Sequence, residues 1–506
     1  MIQFYIAAII LLLCLYFKYK LSYWFRKEIE GPSPIPLFGN LFDFVVTKKK
    51  HFGEIYKDIY DAYPAARYVG IYRMQQPALL IRDLDLIKDI LVTSFNTFNM
   101  NEFSIDPHLD PLIAVNPFCI PGEEWKRKRQ QLSPLFAQNR NKTAIPFIND
   151  VSKRMIEYME GGPESSKMEF DVKELCAKFT TDNVAAVAFG IDGESFTNPN
   201  APLREIGDEI FKPTFMTGLK QQIVLFMPFM NKFFRIPFVS SETDKKFRQI
   251  VGQVVDNREK NKIKRDDLLQ VILDLREKHG KEEWDDTAVI GNGMTFLTEG
   301  YETSSTTMSM TLYQLALNPE VQKRAQLEID QLLALNSEIN ENVINNTEYL
   351  ECCIMETVRM HCPVFHMAKI SLKEHEFPPQ YESSSKTVKL PEGTCVVIPV
   401  YAIHLDKNYF PDPMKYNPDR WNKENKDSIP KYAFLGFSDG PRICLGMKFG
   451  ITQVKGGLIA ILSKYNVLPT DKTDVPFKFS KSTFNLQPQD CLWLKFEKRK
   501  DLVNKE

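Results

Sequence analysis

A ten-residue loop near the carboxyl end constrains this chain more than any other stretch. It reads FSDGPRICLG over residues 437–446, so a single cysteine, Cys444, is flanked by residues that interrupt regular structure. Gly446 permits a tight turn or a close backbone approach. The apolar spacing after Leu445 predicts a buried helix whose amino end points at the sulfur. Together with the nearby Arg442, loop N–H groups aimed at the sulfur predict a cysteine that favours the thiolate.

A cysteine in a Gly-Pro loop, taken alone, is more often a buried free thiol. The complete spacing Phe-x-x-Gly-x-Arg-x-Cys-x-Gly, however, resembles the haem-binding loop of the cytochrome P450 family, with every fixed position filled. The resemblance implies that heme b is the cofactor and that Cys444 is the axial thiolate and the metal ligand. It also implies that Arg442 meets a haem propionate and that Phe437 packs near the sulfur.

Composition and patterning agree with one large domain. The chain has 506 residues, 43% of them hydrophobic, and no Gly/Ser-rich linker or repeat. Alternating runs at 67–72 and 78–82 predict a small hairpin. The resemblance implies the P450 fold: mostly α with small β-sheets, a single large helical domain with a long central helix over the haem. A formal net charge of −1 argues against a nucleic-acid partner.

The amino terminus predicts a membrane anchor. Residues 2–17 are almost entirely apolar, and the basic residues Lys18, Lys20 and Arg26 follow only on the carboxyl side. This arrangement keeps the body of the protein in the cytosol. We therefore expect an anchor at 1–25, a stiff proline-rich hinge at 26–40 and the catalytic domain at 41–506. Microsomal members of the family share this order, which implies a single-pass protein of the endoplasmic reticulum membrane.

The run Trp125-Lys-Arg-Lys-Arg129 opens a helix. A basic run of this kind is often a solvated face, and that reading stays open. In the family a helix here carries Trp-x-x-x-Arg, so the resemblance implies that Trp125 and Arg129 reach the propionates from one helix face. Lys126, Arg127 and Lys128 would then point outward, toward an acidic redox partner.

A long helix is predicted from the Asp285-Asp286 cap to Asn318, about 50 Å at the usual rise per residue. Gly300 and a run of Ser and Thr weaken helix propensity at its middle. A polar helix face is the simpler account, and a local widening over a ligand is the functional one. The resemblance implies oxygen binding here, with Glu302 and Thr303 as the acid–alcohol pair that relays protons.

Glu299 departs from the small residue that most relatives carry at this place. It lies four residues before Thr303 and should face the haem, where burial should raise the pKa of the carboxyl. It could bond Ser304 or pair with a cationic substrate. The segment Glu299-Gly-Tyr-Glu-Thr303 also resembles that of fatty-acid ω-hydroxylases in the family, where the glutamate can form an ester with the haem.

A structural triad is implied by two separated motifs. Glu356 and Arg359 form Glu-x-x-Arg on an amphipathic helix, and Arg420 follows within Asn-Pro-Asp-Arg-Trp. Alone, the first motif predicts only a surface ion pair; together they resemble the Glu–Arg–Arg triad that locks the family's fold. Lys369 stands where many members carry a propionate-pairing Arg, so its contact would be monodentate at best. His404 is a weaker propionate candidate, and a buried histidine with core partners is the better reading.

Two stretches admit more than one reading. Residues 211–238 are rich in Phe and Met, which fits core packing and, almost equally, an apolar patch that dips into the membrane. His361, Cys362 and His366 suggest a metal cluster only weakly, because they lie on one irregular segment without a second group of ligands.

The implied function is a haem-thiolate monooxygenase that inserts one oxygen atom from O2 into a lipophilic substrate, for which a fatty-acid-like chain is one candidate. The chain carries no flavin or NADPH module, so electrons would come from NADPH-cytochrome P450 reductase, with cytochrome b5 as a further candidate donor. One alternative is a haem-thiolate isomerase or dehydratase that acts on a peroxide without a reductase. Another is a haem sensor without catalysis. The pair Glu302–Thr303 argues against both. The pocket is expected to be apolar, with Phe103, Phe365 and Phe484 among its lining.

Overall fold

Helices form most of the chain in the computed structural model, which describes residues 1–103, 105–136, 138–162, 164–227, 231, 233–336 and 338–499, and of residues 138–140 the backbone only. The helices are α1 (Ile2–Leu21), α2 (Tyr23–Arg26), α3 (Phe42–Val45), α4 (Phe52–Ala62), α5 (Leu84–Lys88), α6 (Phe95–Phe98), α7 (Pro111–Ala114), α8 (Gly122–Leu132), α9 (Gln138–Gly161), α10 (Val172–Val184), α11 (Pro202–Phe211), α12 (Phe215–Phe226), α13 (Ser241–Asn261), α14 (Leu268–His279), α15 (Asp286–Leu317), α16 (Pro319–Leu335), α17 (Glu341–Asn346), α18 (Glu348–Met360), α19 (Val400–His404) and α20 (Met447–Leu462).

The strands form three small sheets. They are β1 (Tyr68–Arg73), β2 (Gln76–Ile81), β3 (Met100–Asn101), β4 (Glu169–Asp171), β5 (Met367–Ile370), β6 (His375–Phe377), β7 (Val388–Leu390), β8 (Cys395–Ile398), β9 (Tyr465–Pro469) and β10 (Trp493–Lys498). The orders are β1-β2-β8-β5-β3, β4-β10-β9 and β6-β7. The β2–β8 pair is parallel and the other pairs are antiparallel. The predicted hairpin is present as β1 and β2, and the predicted mostly helical fold is confirmed.

The long predicted helix is α15, and it organises the core. Asp285 caps it by accepting a hydrogen bond from the Ala288 N–H at 2.7 Å. Its 32 residues span about 48 Å, and most of them are buried against α7, α10, α18 and α20. Because protein surrounds the helix, nearly all of its faces carry apolar side chains or hydroxyls that bond the helix's own carbonyls. This explains why its sequence is only weakly amphipathic.

The helix does not widen at Gly300, contrary to the functional reading of that residue. Helical structure continues through it, and a side chain there would approach Cγ2 of Val184 to 2.8 Å. Gln453 also donates to the Gly300 carbonyl at 2.8 Å. The glycine is therefore explained by the close packing of α10 on α15, and the Ser and Thr hydroxyls of this region mostly bond carbonyls of their own helix.

The amino-terminal helix α1 has the composition of a membrane span, and none of its residues is buried. The globule begins directly behind it. Trp24 is 2% exposed and its indole N–H donates to the Ile71 carbonyl at 2.9 Å. Glu30 is bound through its backbone to Gln380 and Gly70. The stretch 26–40, expected to be a stiff hinge, therefore lies against β1 and is hydrogen-bonded to the sheet.

Two proline-interrupted stretches have definite structure. Residues 96–120 contain α7 and β3, and β3 pairs with β5. In the Phe- and Met-rich stretch, α12 buries Phe226 but leaves Phe215 75% exposed, and beyond it Phe233 is 82% exposed. The stretch thus combines core packing with an exposed apolar patch; residues 228–230 and 232 lie outside the described residues.

Candidate functional site

The cysteine loop and the middle of α15 border a common internal space. Cys444 and Glu299 are both exposed, yet burial raises the pKa of each group. A side chain that is surrounded by protein and still exposes surface lines a cavity. The charge of Glu299 also acts on the Cys444 sulfur, so the two residues face the same cavity from its two walls.

The backbone of the loop places Cys444 on one side of this cavity. Gly440 has φ of +70°, a conformation that favours glycine. A Cβ at this position would also lie 2.2 Å from the carbonyl oxygen of Leu91. The Cys444 N–H then donates to the Phe437 carbonyl at 2.9 Å. These constraints close the loop just before α20 begins at Met447.

Burial acts against a thiolate at Cys444, whereas the loop led us to expect that its N–H groups would favour one. Burial raises the pKa of the Cys444 thiol, and the opposing influences are the Gly446 N–H, which bonds the sulfur, and the cation of Arg129. Arg442 instead donates to the Pro117 and Ile120 carbonyls. A metal ion at the sulfur would supply the missing positive charge, because thiolates form readily as metal ligands.

Other cysteines fit a ligand role less well. Cys395 is buried in β8, where its sulfur accepts a hydrogen bond from Nη1 of Arg73 at 3.0 Å. Cys119 is near Glu299, but burial raises its pKa to about 12 and no N–H bonds its sulfur. Cys444 is the thiol of the three whose sulfur is both exposed to the cavity and bonded by a backbone N–H.

The α15 wall of the cavity carries Thr295, Glu299 and Thr303 at helical spacing of four. Their surfaces are open in a helix that is otherwise almost fully buried. The Thr303 hydroxyl donates to the Glu299 carbonyl at 3.0 Å. Oε1 of Glu299 accepts a hydrogen bond from the Asn116 amide at 3.2 Å. A bond to Ser304, one of the alternatives for this carboxylate, does not occur in the described chain, and the Ser304 hydroxyl accepts from Gln453.

Glu302 is on a different side of α15 from Thr303. It is 2% exposed and forms an ion pair with Nζ of Lys173 at 3.1 Å. The Gln487 amide and the Thr306 hydroxyl also donate to Oε1 of the carboxylate. The acid and the alcohol of the predicted pair are therefore neighbours in sequence, but only the hydroxyl borders the cavity.

Three cations gather beside the cavity. The guanidinium of Arg442 lies 4.4 Å from the centre of the Trp125 ring, and Arg129 donates to the Ile443 carbonyl at 2.8 Å. Burial and the charge of Arg442 lower the pKa of Lys369 to about 7. Burial and the charge of Arg129 lower the pKa of Arg442 to about 10. Cations that repel one another at a buried site indicate that an anion belongs there.

These features fit haem b. The three cations form no ion pair with a carboxylate anywhere in the described part of the chain, and Nε of Arg442 is buried without a partner. Two propionates would neutralise such a cluster. Lys369 is 4% exposed and bonds Asn101 at 2.7 Å, so it would offer a single ammonium contact. The Cys444 sulfur would lie on the iron side of the same group.

The three residues of the predicted structural triad are in contact. Arg359 and Glu356 form two hydrogen bonds of 2.8 Å with both side chains fully buried. Nε of Arg420 donates to Glu356 at 3.2 Å. The Asn417 N–H and the Trp421 indole N–H also bond the same carboxylate. The pair is not a surface ion pair: α18 is tied by it to the segment that precedes the cysteine loop.

The basic residues on α8 do not all face the solvent, contrary to the prediction. Trp125 is buried, while Lys126 and Arg127 are exposed. Lys128 does not point outward. It is 8% exposed, and its Nζ lies 4.0 Å from the centre of the Trp284 ring, near Glu283. Three consecutive residues of a helix project about 100° apart, so they cannot all share one solvated face.

The histidines near Cys362 form no metal site. His361 bonds Gln314, and His366 bonds Glu102 at 2.8 Å. No group of three or more candidate ligands occurs among the residues that the structure describes. His404 is a core histidine, as expected: one ring nitrogen faces the Arg359 carbonyl and the other accepts from the Leu435 N–H at 2.8 Å.

Four functional side chains were not identifiable from sequence. Asn116 orients Glu299, Lys173 and Gln487 hold Glu302, and Asn101 bonds Lys369. None belongs to a motif with fixed spacing, and each meets its partner from a distant part of the chain.

Comparison with known proteins identifies this architecture. The model of the family described as Cytochrome P450 matches residues 29–494. Cytochrome P450 6j1 of Blattella germanica is 33% identical over 490 residues, covering 96% of each chain. Probable cytochrome P450 6a14 of Drosophila melanogaster is 33% identical over 494 residues, covering 94% of this chain and 95% of that protein. Cytochrome P450 9e2 of Blattella germanica is 29% identical over 530 residues, 98% of this chain and 97% of that protein.

Proposed function

The chain belongs to the cytochrome P450 family, a family of haem monooxygenases, and we propose that it inserts one oxygen atom from O2 into a lipophilic substrate with electrons from NADPH-cytochrome P450 reductase. The observation that carries this proposal is the cavity between the cysteine loop and α15. It has a thiol on one wall, a hydroxyl on the other and buried cations without carboxylate partners at its side.

When bound, haem would supply the redox chemistry that activates oxygen, and a thiolate ligand would promote that chemistry. Cys444 would ligate the iron. Arg129, Arg442 and Lys369 would hold the propionates, with the Trp125 ring packed against the Arg442 guanidinium. Phe437 is half-buried and supports the loop through its carbonyl, which accepts from the Cys444 N–H.

Proton supply is assigned to Thr303 and Glu302. The Thr303 hydroxyl borders the cavity and donates a hydrogen bond to the Glu299 carbonyl. In this position it can orient a water molecule or transfer a proton. The Glu302 carboxylate contacts Lys173, which is partly open toward the solvent. We infer that Glu302 collects protons from the Lys173 side and that its side chain turns to reach Thr303.

The leading alternative is a haem-thiolate isomerase or dehydratase that acts on a peroxide. Such an enzyme needs neither a reductase nor a proton-relaying pair. The contacts of Glu302 with Lys173, Gln487 and Thr306 favour the monooxygenase, because they link an acid next to Thr303 to a cation near the surface. A non-catalytic sensor would have no use for this arrangement either.

The substrate is proposed to be lipophilic. Phe103 packs edge-on against Phe118 and Phe484 at centroid distances of 5.1 and 5.2 Å, and so joins the two segments that carry these rings. Phe365 does not line this space; it is 1% exposed and packs on His51. If Glu299 forms an ester with the haem, we expect a fatty-acid-like substrate. Acid extraction of the haem tests whether the ester is present.

We expect Lys126 and Arg127 to belong to the surface that binds the reductase. Reversing both charges (Lys126→Glu with Arg127→Glu) should raise the reductase concentration for half-maximal turnover by up to about tenfold. High salt should shrink the difference, because exposed charges are screened. Lys128 is left unchanged since it is buried against Trp284. The measurement is NADPH-dependent product formation at several reductase and salt concentrations.

Peroxide-driven turnover of the same variants provides the internal control. It should match that of the wild type, because no reductase is involved. The matched charge reversal is Lys245→Glu with Lys246→Glu, two exposed lysines on α13, which should change neither assay. NADPH-dependent product formation by the wild type that is unchanged when the reductase is omitted would refute the monooxygenase, and equal losses in both assays would refute the docking surface.

We further propose that α1 anchors the protein in the endoplasmic reticulum membrane with the catalytic domain in the cytosol. The helix has a mean hydropathy of 1.9 and its basic residues lie only at the carboxyl end. Protease added to intact microsomes should digest the globular domain completely. Protection that disappears only after detergent is added would show that the domain is lumenal and the proposed orientation incorrect.

A further inference from the structure

Glu299 presents a free carboxylate oxygen to the haem cavity. Asn116 is 6% exposed, and its own orientation is fixed because Oδ1 accepts from the Phe118 N–H at 2.8 Å. Its amide NH2 therefore points at Oε1 of Glu299. No hydrogen bond to Oε2 occurs within the described chain, and the Glu299 side chain is exposed although protein surrounds it. This oxygen thus faces the cavity.

No cation of the protein neutralises Glu299. Within the described ranges no lysine, arginine or histidine forms an ion pair with it, and burial raises its pKa. The nearest cationic cluster is the one assigned to the propionates, and its charges do not act on Glu299. An isolated carboxylate in an apolar cavity is unfavourable unless a proton or a cation joins it.

The three cations beside the cavity are assigned to the propionates, so a carboxylate substrate would need a further cation. One candidate is Arg73, which is buried beside Phe226 and pairs with Glu102. Both oxygens of Glu102 are engaged, one by Arg73 and the other by His366. Although burial acts in the opposite direction, Arg73 and His366 lower the pKa of Glu102 to about 2. The Arg73 charge is therefore neutralised, and Phe103, next to Glu102, presents only an aromatic ring.

We propose that Asn116 and Glu299 form a recognition site for the protonated nitrogen of a lipophilic amine. The inference rests on the proposed monooxygenase function and specifies its substrate class. Oε2 of Glu299 would accept the N–H of the ammonium, and the Asn116 amide would fix the carboxylate plane. The aromatic side chains Phe103, Phe118 and Phe484 would cover the apolar body. The same carboxylate cannot serve both this site and an ester to the haem.

The test uses three probes that share a phenylbutyl body. They carry a dimethylamine, the branched hydrocarbon in which CH replaces nitrogen, or a carboxylate. Equilibrium dialysis of the haem-loaded protein in detergent measures Kd without relying on turnover. Glu299→Gln keeps the shape and the acceptor for Asn116 but removes the charge. It should weaken amine binding by about tenfold to a hundredfold and leave hydrocarbon binding unchanged.

Two variants make the result specific. Glu299→Asp retains the charge and should keep part of the preference for the amine. Glu283→Gln removes a carboxylate that pairs with Arg127, outside the cavity, and should alter none of the three affinities. Equal effects of Glu299→Gln on all three probes, or tight binding of the carboxylate probe by the wild type, would overturn the amine site.

Acid extraction separates the remaining outcomes. Haem that leaves the wild type and Glu299→Gln equally means that the carboxylate is free, as the amine site requires. Haem retained by the wild type but released by Glu299→Gln means that Glu299 is esterified, which overturns the amine site and leaves the monooxygenase standing. If the reduced, CO-bound wild type lacks the thiolate-type absorption band, the proposed function itself is refuted.

Discussion

Arg359→Leu should prevent accumulation of stable, haem-loaded protein. The guanidinium is fully buried, and it donates to both oxygens of Glu356 and to the His404 and Pro413 carbonyls. Removing one partner of a buried ion pair costs about 3–5 kcal/mol. Here two carbonyls also lose their donor, which adds about 1–3 kcal/mol for each buried group left unsatisfied. A total of this size approaches the whole stability of a typical domain, about 5–15 kcal/mol.

The measurement is the yield of haem protein together with the urea midpoint of unfolding. Arg324→Leu is the matched control, because Arg324 also pairs with a carboxylate, Asp419 at 2.8 Å, but its side chain is 54% exposed. An exposed pair of this kind contributes about 0–1 kcal/mol, so this variant should resemble the wild type. Equal stability of the two variants would show that the buried triad does not stabilise the fold.

The sequence predicted the features that depend on strict local spacing. The cysteine loop, the capped helix from Asp285 and the two halves of the triad each place their residues at fixed separations along the chain. Gly440 is an example. Its positive φ disfavours other residues, and the nearby Leu91 carbonyl leaves no room for a side chain, so the glycine in the motif indicates the conformation of the loop. Features of this kind can therefore be predicted from the motif alone.

Contacts between distant segments could not be predicted. Asn116 meets Glu299, and Lys173 meets Glu302, only because the fold packs separate segments against α15. The proline-rich stretch at 26–40 looked like a hinge because prolines exclude helix. Its backbone hydrogen bonds, however, go to the sheet and to Gln380, which is about 350 residues away.

Charge and burial compete in ways that a motif does not reveal. The loop suggested a thiolate stabilised by N–H groups and Arg442. In the fold, burial outweighs the single Gly446 N–H and the more distant Arg129, so the pKa of Cys444 rises. Lys128 is a second example. The basic run predicted that it faces the solvent, but an aromatic ring and a neighbouring acid allow this lysine to be buried.

The central claim is that Cys444, and not another cysteine, ligates the haem iron. Cys444→Ala should abolish the strongly red-shifted absorption band that thiolate haem gives in the reduced, CO-bound state. Cys395→Ser is the matched control, because a hydroxyl there can still accept the hydrogen bond from Arg73. It should retain the band at full intensity.

The most direct test is therefore the reduced, CO-bound absorption spectrum of three proteins at equal haem concentration. The wild type and Cys395→Ser should show the thiolate band, and Cys444→Ala should show only the spectrum of haem without a thiolate ligand. A thiolate band that persists in Cys444→Ala, or that disappears in a folded, haem-loaded Cys395→Ser, would contradict the assignment.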